Sequence, residues 1–302
     1  MNRSNFINAI IALSLIGPGL GGNFFMFVEH VCAFIRGPEK KNINLIMMHL
    51  AFTNAMSLCV KGISDVIPVF HLSNFLDSVG CKTVIYLGRV ARGLSICTTC
   101  LLSVVQAITI SPRTTPWTKL KLRTAGQLLF CLLIFWTFNT LTSCNLLYYI
   151  ASVKNMNRSE VSQHIGYCYL LPSTQIVRWL FLILMAVRDI VFQSLMGWSS
   201  AYMVDCLYTH HKRVLYLQNS RLIQKSKTRP EIRATQSILI LTACFLFFYW
   251  TDFIFSFYLG FFSTFDPIIL NIKIFLTLGY ASLSPFVLIS RNFHVDNCWP
   301  AH

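Results

Sequence analysis

The chain is short of charge. Asp, Glu, Lys and Arg make up 12% of it, against 55% hydrophobic residues, and a soluble domain typically carries about 25% charged residues. That deficit argues against an ordinary soluble fold and suits a surface wetted by acyl chains, as do the 25 Phe residues. Enzyme signatures are missing too. There is no zinc-protease helix, no phosphate-cradling glycine loop and no nucleophile elbow, so neither catalysis nor a cofactor is expected. Low-complexity tracts and internal repeats are absent, which disfavours a transporter built from inverted repeats. His30 and His49 have no second ligand-type residue at metal spacing. Cys97-Thr98-Thr99-Cys100 has the spacing of a redox or zinc pair but no partner pair near it, so no metal is expected.

What the chain does have is seven long apolar runs, at 7–34, 45–70, 84–110, 127–151, 174–206, 236–262 and 268–290. Each is long enough to cross a hydrocarbon core of about 30 Å. Backbone amides find no water there, so each run should be helical. The reading is an all-α integral membrane protein, one seven-helix domain over residues 1–302. The first run follows Arg3 as a signal peptide would, but it continues through Val28, too far for a signal core, and reads as an uncleaved span.

Basic residues choose the orientation. With the first loop placed in the cytosol, 15 Lys and Arg fall in inner segments and 4 in outer ones. Positive loops stay inside, which puts the N-terminus outside and the C-terminus in the cytosol. The formal net charge of +14 therefore faces an anionic inner leaflet, not nucleic acid. The loops are short and the longest inner one, about 207–235, is the most basic.

Smaller features fit this topology. Asn157-Arg158-Ser159 is a glycosylation sequon in the second outer loop, and Asn2-Arg3-Ser4 is another near the terminus. Asp266-Pro267 reads as a helix cap and first helical residue. Pro285 lies inside the seventh run and should kink it, a candidate hinge. Most cysteines lie in spans as small apolar residues. Cys81 and Cys168 instead face the oxidising side, where disulfides persist.

Ionisable residues within spans are costly and are candidates for function. Arg89 and Arg92 share a helical face. Lys61 and Asp65 are four apart on span 2. Asp252 follows Trp250 in the outer half of span 6, and Lys273 sits near the outer end of span 7. Arg188-Asp189 in span 5 reads as a structural pair. Cations outnumber acids in the outer half of the bundle, which favours a ligand with acidic or strong acceptor groups.

Particular stretches carry a family resemblance. They are Gly22-Asn23 in span 1, Leu45-Ile46-Met47-Met48-His49-Leu50-Ala51-Phe52-Thr53-Asn54 in span 2, Gly93 to Pro112 through span 3, and Ser284-Pro285-Phe286-Val287-Leu288-Ile289-Ser290-Arg291-Asn292 closing span 7. Together they make the whole chain resemble the vomeronasal type-1 receptors, a pheromone receptor family of G-protein-coupled receptors. Val105-Gln106-Ala107 stands where most rhodopsin-like receptors carry Asp-Arg-Tyr. Ser284-Pro285 replaces Asn-Pro, and Asn54 replaces the sodium-binding Asp. The usual ionic lock and sodium site should be absent.

The resemblance implies a plasma-membrane chemosensory receptor that binds a small molecule outside and activates a heterotrimeric G protein inside, of the inhibitory class. It places Arg89, Arg92, Lys61, Asp65, Asp252 and Lys273 at ligand depth. It pairs Cys81 with Cys168, makes Asn157 a glycosylation site, and turns Gln106, Arg123, Lys212, Arg213 and Arg233 toward the G protein. The alternatives are a bitter-taste-type receptor and, from another class, a transporter or channel. The mostly apolar inner halves of spans 3, 5 and 6 disfavour a conducting path.

Overall fold

A computed structural model describes residues 3–36, 41–66, 78–112, 124–144, 147, 150–152, 164–165, 168–170, 175–218, 229–262 and 267–292. Within these residues the chain forms seven long helices: α1 (Arg3–Arg36), α2 (Lys41–Val66), α3 (Ser78–Ile110), α4 (Ala125–Ser143), α5 (Gln175–Gln218), α6 (Arg229–Phe262) and α7 (Pro267–Asn292). Five of them hold a stretch long and apolar enough to cross a membrane: Ala9–Arg36, Asn42–Ser64, Val79–Ile110, Ala125–Ser143 and Asn271–Ile289. The protein is a multi-pass membrane protein.

Local sequence sets several helix ends. Thr124 caps α4. Its Oγ1 accepts from the Gln127 amide at 3.3 Å, and Gln127 Oε1 accepts from the Thr124 amide at 3.4 Å. This reciprocal box satisfies two donors that a helix start leaves bare. Helix α7 begins at Pro267, the residue marked by the Asp-Pro pair, and contains Pro285. Pro18 lies inside α1, which the sequence reading did not single out.

Several boundaries differ from the apolar runs, including the start of α3 at Ser78. Helix α4 stops at Ser143. Ile150 and Ala151, apolar enough to extend that run, lie in a strand and pair with Leu170 and Tyr169. The strands β1 (Ile150–Ser152), β2 (His164–Ile165) and β3 (Cys168–Leu170) form a small antiparallel sheet in the order β1-β3-β2. Strand β1 packs on α3. Helix α5 continues beyond 206 to Gln218, and α6 starts at Arg229, so much of the basic stretch 207–235 is helical. Apolarity marks what lipid covers, whereas a helix can continue into water on its own hydrogen bonds.

Helix α3 is the axis of the bundle. Of its apolar stretch 72% is buried, against 33% for α1 and 22% for α4. It packs on α2, α4, α5 and α6. Around it lies a core that includes Leu50, Ile96, Leu102, Met196, Met203, Leu241, Phe245 and Tyr280. The outside of the bundle is apolar as well. Phe24, Ile35, Phe130, Leu141, Trp198 and Phe247 are all strongly exposed. Such side chains would aggregate in water, and lipid covers them at no such cost.

Candidate functional site

Polar side chains recur along α3 at Arg92, Ser95, Thr99, Ser103 and Gln106. Steps of three and four keep them on one helix face. Each bonds to another helix. Arg92 Nη1 meets Asp252 Oδ2 of α6 at 2.6 Å. Ser95 Oγ donates to Asn54 Oδ1 of α2 at 2.8 Å. Thr99 Oγ1 donates to the Ser95 carbonyl, so the Tyr280 hydroxyl of α7, 2.8 Å away, is the donor to Thr99. Thr242 of α6 likewise donates to Ile238, so Ser103 is the donor to Thr242 at 2.9 Å. Gln106 Nε2 donates to Thr235 Oγ1 of α6 at 3.0 Å. Bonds of this kind between membrane helices contribute about 0.6 kcal/mol each on average. Their number and alignment, more than any one bond, hold α3 against α6 and α7.

The charged rung is the most elaborate. The Arg92 guanidinium lies 4.9 Å from the centroid of the Tyr249 ring, a cation over an aromatic face. Thr277 Oγ1 sits between Asp252 Oδ1 at 3.0 Å and the Lys273 carbonyl at 2.8 Å. Each Asp252 oxygen thus has a donor group within reach, one on α3 and one on α7, with the single Thr277 proton shared between Oδ1 and the Lys273 carbonyl. Lys61 and Lys273 belong to the same charged neighbourhood. Below it, Tyr249 stacks on Phe245, which packs edge-on to Tyr280.

A second cluster joins α3, α4 and α5. Arg188 Nε donates to Asp189 Oδ1 at 2.8 Å, and Arg188 Nη1 donates to Asn139 Oδ1 at 2.9 Å. Asn139 Nδ2 reaches the Phe135 carbonyl at 2.8 Å and the Cys97 sulfur at 3.6 Å. This arrangement needs Gly93: a Cβ there would overlap Asn139 Oδ1 and Arg188 Nη1. Arg89 lies close enough to feel Arg92, Arg188 and Asp189. It has no hydrogen-bond or ion-pair partner among the described residues.

Two neutral networks complete the frame. Asn54 Nδ2 donates to Ser284 Oγ at 2.9 Å while its Oδ1 accepts from Ser95, tying α2, α3 and α7 without a carboxylate. Trp136 Nε1 donates to His49 Nε2 at 2.9 Å. Thr98 spends its hydroxyl proton on the Leu94 carbonyl. His49 Nδ1, 2.9 Å from Thr98 Oγ1, therefore carries the ring proton. Asn23 Nδ2 reaches the Gly19 and Ala281 carbonyls. A Cβ at Gly22 would stand 2.9 Å from Pro285 Cγ, so the glycine lets α1 close on the proline of α7.

The sequence candidates fall into distinct places. Arg92 and Asp252 meet directly, with Lys61 and Lys273 near them. Asp65 follows Lys61 in α2, and its side chain lies outside the described residues. Cys81 is fully buried in the first turn of α3 and is not one of the free thiols. Cys168 opens β3. Gln106 is buried on α6. Lys212 lies on α5 with its Nζ 4.8 Å from the centroid of the Tyr208 ring; Arg213 is in α5 and Arg233 in α6. Arg123, Asn157 and Asn2 lie outside the described residues. The sequence reading missed Ser95, Thr99 and Ser103. Hydroxyl residues at helical spacing within an apolar helix are the signal that marks them.

The vomeronasal organ pheromone receptor family matches the chain over residues 7–301. The chain is 33% identical over 287 residues to human vomeronasal type-1 receptor 4, covering 95% of both proteins. It is 35% identical over 286 residues to rat vomeronasal type-1 receptor 100, covering 93% of this chain and 85% of the relative. Mouse vomeronasal type-1 receptor 51 is 34% identical over 288 residues, with 95% and 89% covered. The match spans all seven helices, and the chain belongs to the vomeronasal organ pheromone receptor family, chemosensory receptors of the G-protein-coupled type.

Proposed function

We propose that this receptor binds a small molecule from the outer side, in the half of the bundle around Arg92, and activates a heterotrimeric G protein of the inhibitory class at the other end of α3. The carrying observation is the Arg92–Asp252 ion pair between α3 and α6, sealed by Thr277 of α7. It joins three helices where a ligand would enter. Arg89, Lys61, Asp65 and Lys273 complete the ligand-facing set. Gln106 lies 14 residues further along α3, about 21 Å at 1.5 Å per residue, where α3 and α6 meet again. A ligand that binds one arrangement of this charged rung more tightly shifts the packing at the distant rung.

In this reading the sheet and the start of α3 lie outside, the C-terminus lies in the cytosol and the receptor sits in the plasma membrane, as the excess of Lys and Arg in the inner loops supports. Cys81 pairs with Cys168. This is supported by the burial of Cys81, its exclusion from the free thiols and the packing of β1 on α3. Asn157 carries glycan. Pro285 is the hinge of α7, and Arg123, Lys212, Arg213 and Arg233 read the G protein. The chain acts as one receptor domain and does not catalyse a reaction.

The test is a small-molecule screen with a G-protein readout in transfected cells. Arg92→Gln shifts the dose–response of active compounds to higher concentration at unchanged surface level. Unaltered potency for every active compound would remove Arg92 from the site. Ligand-gated current in cells without G proteins would instead favour a channel.

A further inference from the structure

The two ion pairs near the proposed ligand site are buried in opposite senses. In the α3–α6 pair the acid is sealed and the cation open: side-chain exposure is 32% for Arg92 and 5% for Asp252. In the α5 pair the cation is sealed and the acid open: Arg188 is 1% exposed and Asp189 is 24%. Arg188 is further fixed by Asn139 in the niche above Gly93. Both bonds from Arg188 land on Asp189 Oδ1, which leaves Oδ2 without a partner among the described residues. Asp189 lies within electrostatic range of Arg89, Arg92 and Tyr249, on α3 and α6 of the proposed ligand site.

We infer that Asp189 is a ligand-binding residue and Asp252 a positioning residue, so that the receptor selects small molecules carrying an acceptor group for Arg92 and a separate hydroxyl or amine donor for Asp189 Oδ2. Asp252 is the less available carboxylate, because it is only 5% exposed, Arg92 holds its Oδ2 and Thr277 lies 3.0 Å from its Oδ1. Its task is to hold Arg92, whose side chain stays 32% exposed, over Tyr249. Arg188 does the same for Asp189 from below. The selectivity is asymmetric. A compound with an acceptor alone satisfies only α3, and one with both groups bridges α3 and α5. A lone amine meets Arg89 and Arg92 first and is repelled.

This inference rests on the proposed ligand site, and the test separates the two. The probes are matched alkanoic acids and ω-hydroxyalkanoic acids of graded chain length, assayed on wild type, Arg92→Gln, Asp189→Asn and Asp189→Glu, with surface level measured for each. The wild type responds more strongly to the hydroxy acids at one preferred length. Asp189→Asn cuts potency for the hydroxy acid at least about tenfold, the size of a hydrogen bond to a charged group, and does not weaken the response to the parent acid, which loses a like charge from its surroundings. Asp189→Glu recovers response at a shifted chain length. Arg92→Gln weakens both series. Equal losses for both series in Asp189→Asn would mean that Asp189 acts only through Arg188, and the inference falls. Loss with Arg92→Gln but none with Asp189→Asn overturns it and spares the parent site. A wild type silent to every probe overturns the inference, and an Arg92→Gln variant of full potency overturns both.

Discussion

Gln106 of α3 and Thr235 of α6 are joined by a 3.0 Å hydrogen bond between two buried side chains, at the position where many related receptors place a charged lock. A neutral bond of this type is weak, about 0.6–1.7 kcal/mol. It biases the closure of α3 on α6 without fixing it.

Gln106→Ala should therefore raise ligand-independent signalling. Loss of a bond of that size moves a two-state equilibrium by about 3- to 18-fold toward the open arrangement. Basal G-protein activity per receptor at the surface is the readout. Basal activity at the wild-type level would show that the bond is indifferent to the active state.

Gly93→Ala should damage the fold, because its methyl group enters the space of Asn139 and Arg188. Overpacking of this kind costs about 1–3 kcal/mol. Gly197→Ala is the matched control: nothing lies within 4 Å of a Cβ there, and helical Ala is favoured over Gly by about 1 kcal/mol. Thermal unfolding in detergent should fall for the first and hold or rise for the second. Equal stability of the two variants would contradict the described packing of α4 and α5 on α3.

Trp136→Phe should weaken the α2–α3–α4 contact while keeping an aromatic ring. It removes the only donor to His49 Nε2 among the described residues, and a buried group left unpaired costs about 1–3 kcal/mol. Combined with His49→Ala, which also removes the bond to Thr98, it should cost less than the sum of the single losses, since His49 and Trp136 share one bond. Additive losses in a double-mutant cycle would show that they act separately.

The outer architecture is checked by Cys168→Ala. Loss of a structural disulfide typically costs about 2–5 kcal/mol, so surface delivery should drop sharply, with Asn157 glycan left immature. A C-terminal tag should stain only after permeabilisation. Free thiols at both Cys81 and Cys168 in the mature receptor would refute the pairing, and staining of intact cells would invert the topology.

The helices were legible because lipid imposes a simple demand, a long apolar run for every crossing. Ends were harder. Helix α5 persists to Gln218 and β1 takes Ile150 and Ala151, since apolarity does not record where hydrogen bonding stops or which strand a segment meets. The in-span charges stood out because each is expensive in lipid. Their pairing did not, as it depends on which faces of α3, α5 and α6 meet. Arg188 and Asp189 could be paired from adjacency alone, but the burial that separates their roles is a property of Gly93 and Asn139 on other helices. Ser95, Thr99 and Ser103 passed unnoticed because a single hydroxyl in an apolar helix commonly bonds back to its own backbone.

The extension of α5 changes how a cytosolic partner would be met. From 207 to 218 the helix adds twelve residues beyond the apolar run, a rod of about 18 Å, and α6 begins at Arg229, ahead of its own apolar run. Lys212, Arg213 and Arg233 are therefore mounted on stiff arms. Their backbone is already ordered before any encounter, so docking does not have to supply the roughly 1–2 kcal/mol per residue that freezing a loop would cost. Small tilts of the arms at lipid depth become larger displacements at their tips, and this geometric gain lets a bond as slight as Gln106–Thr235 matter at the surface a partner touches.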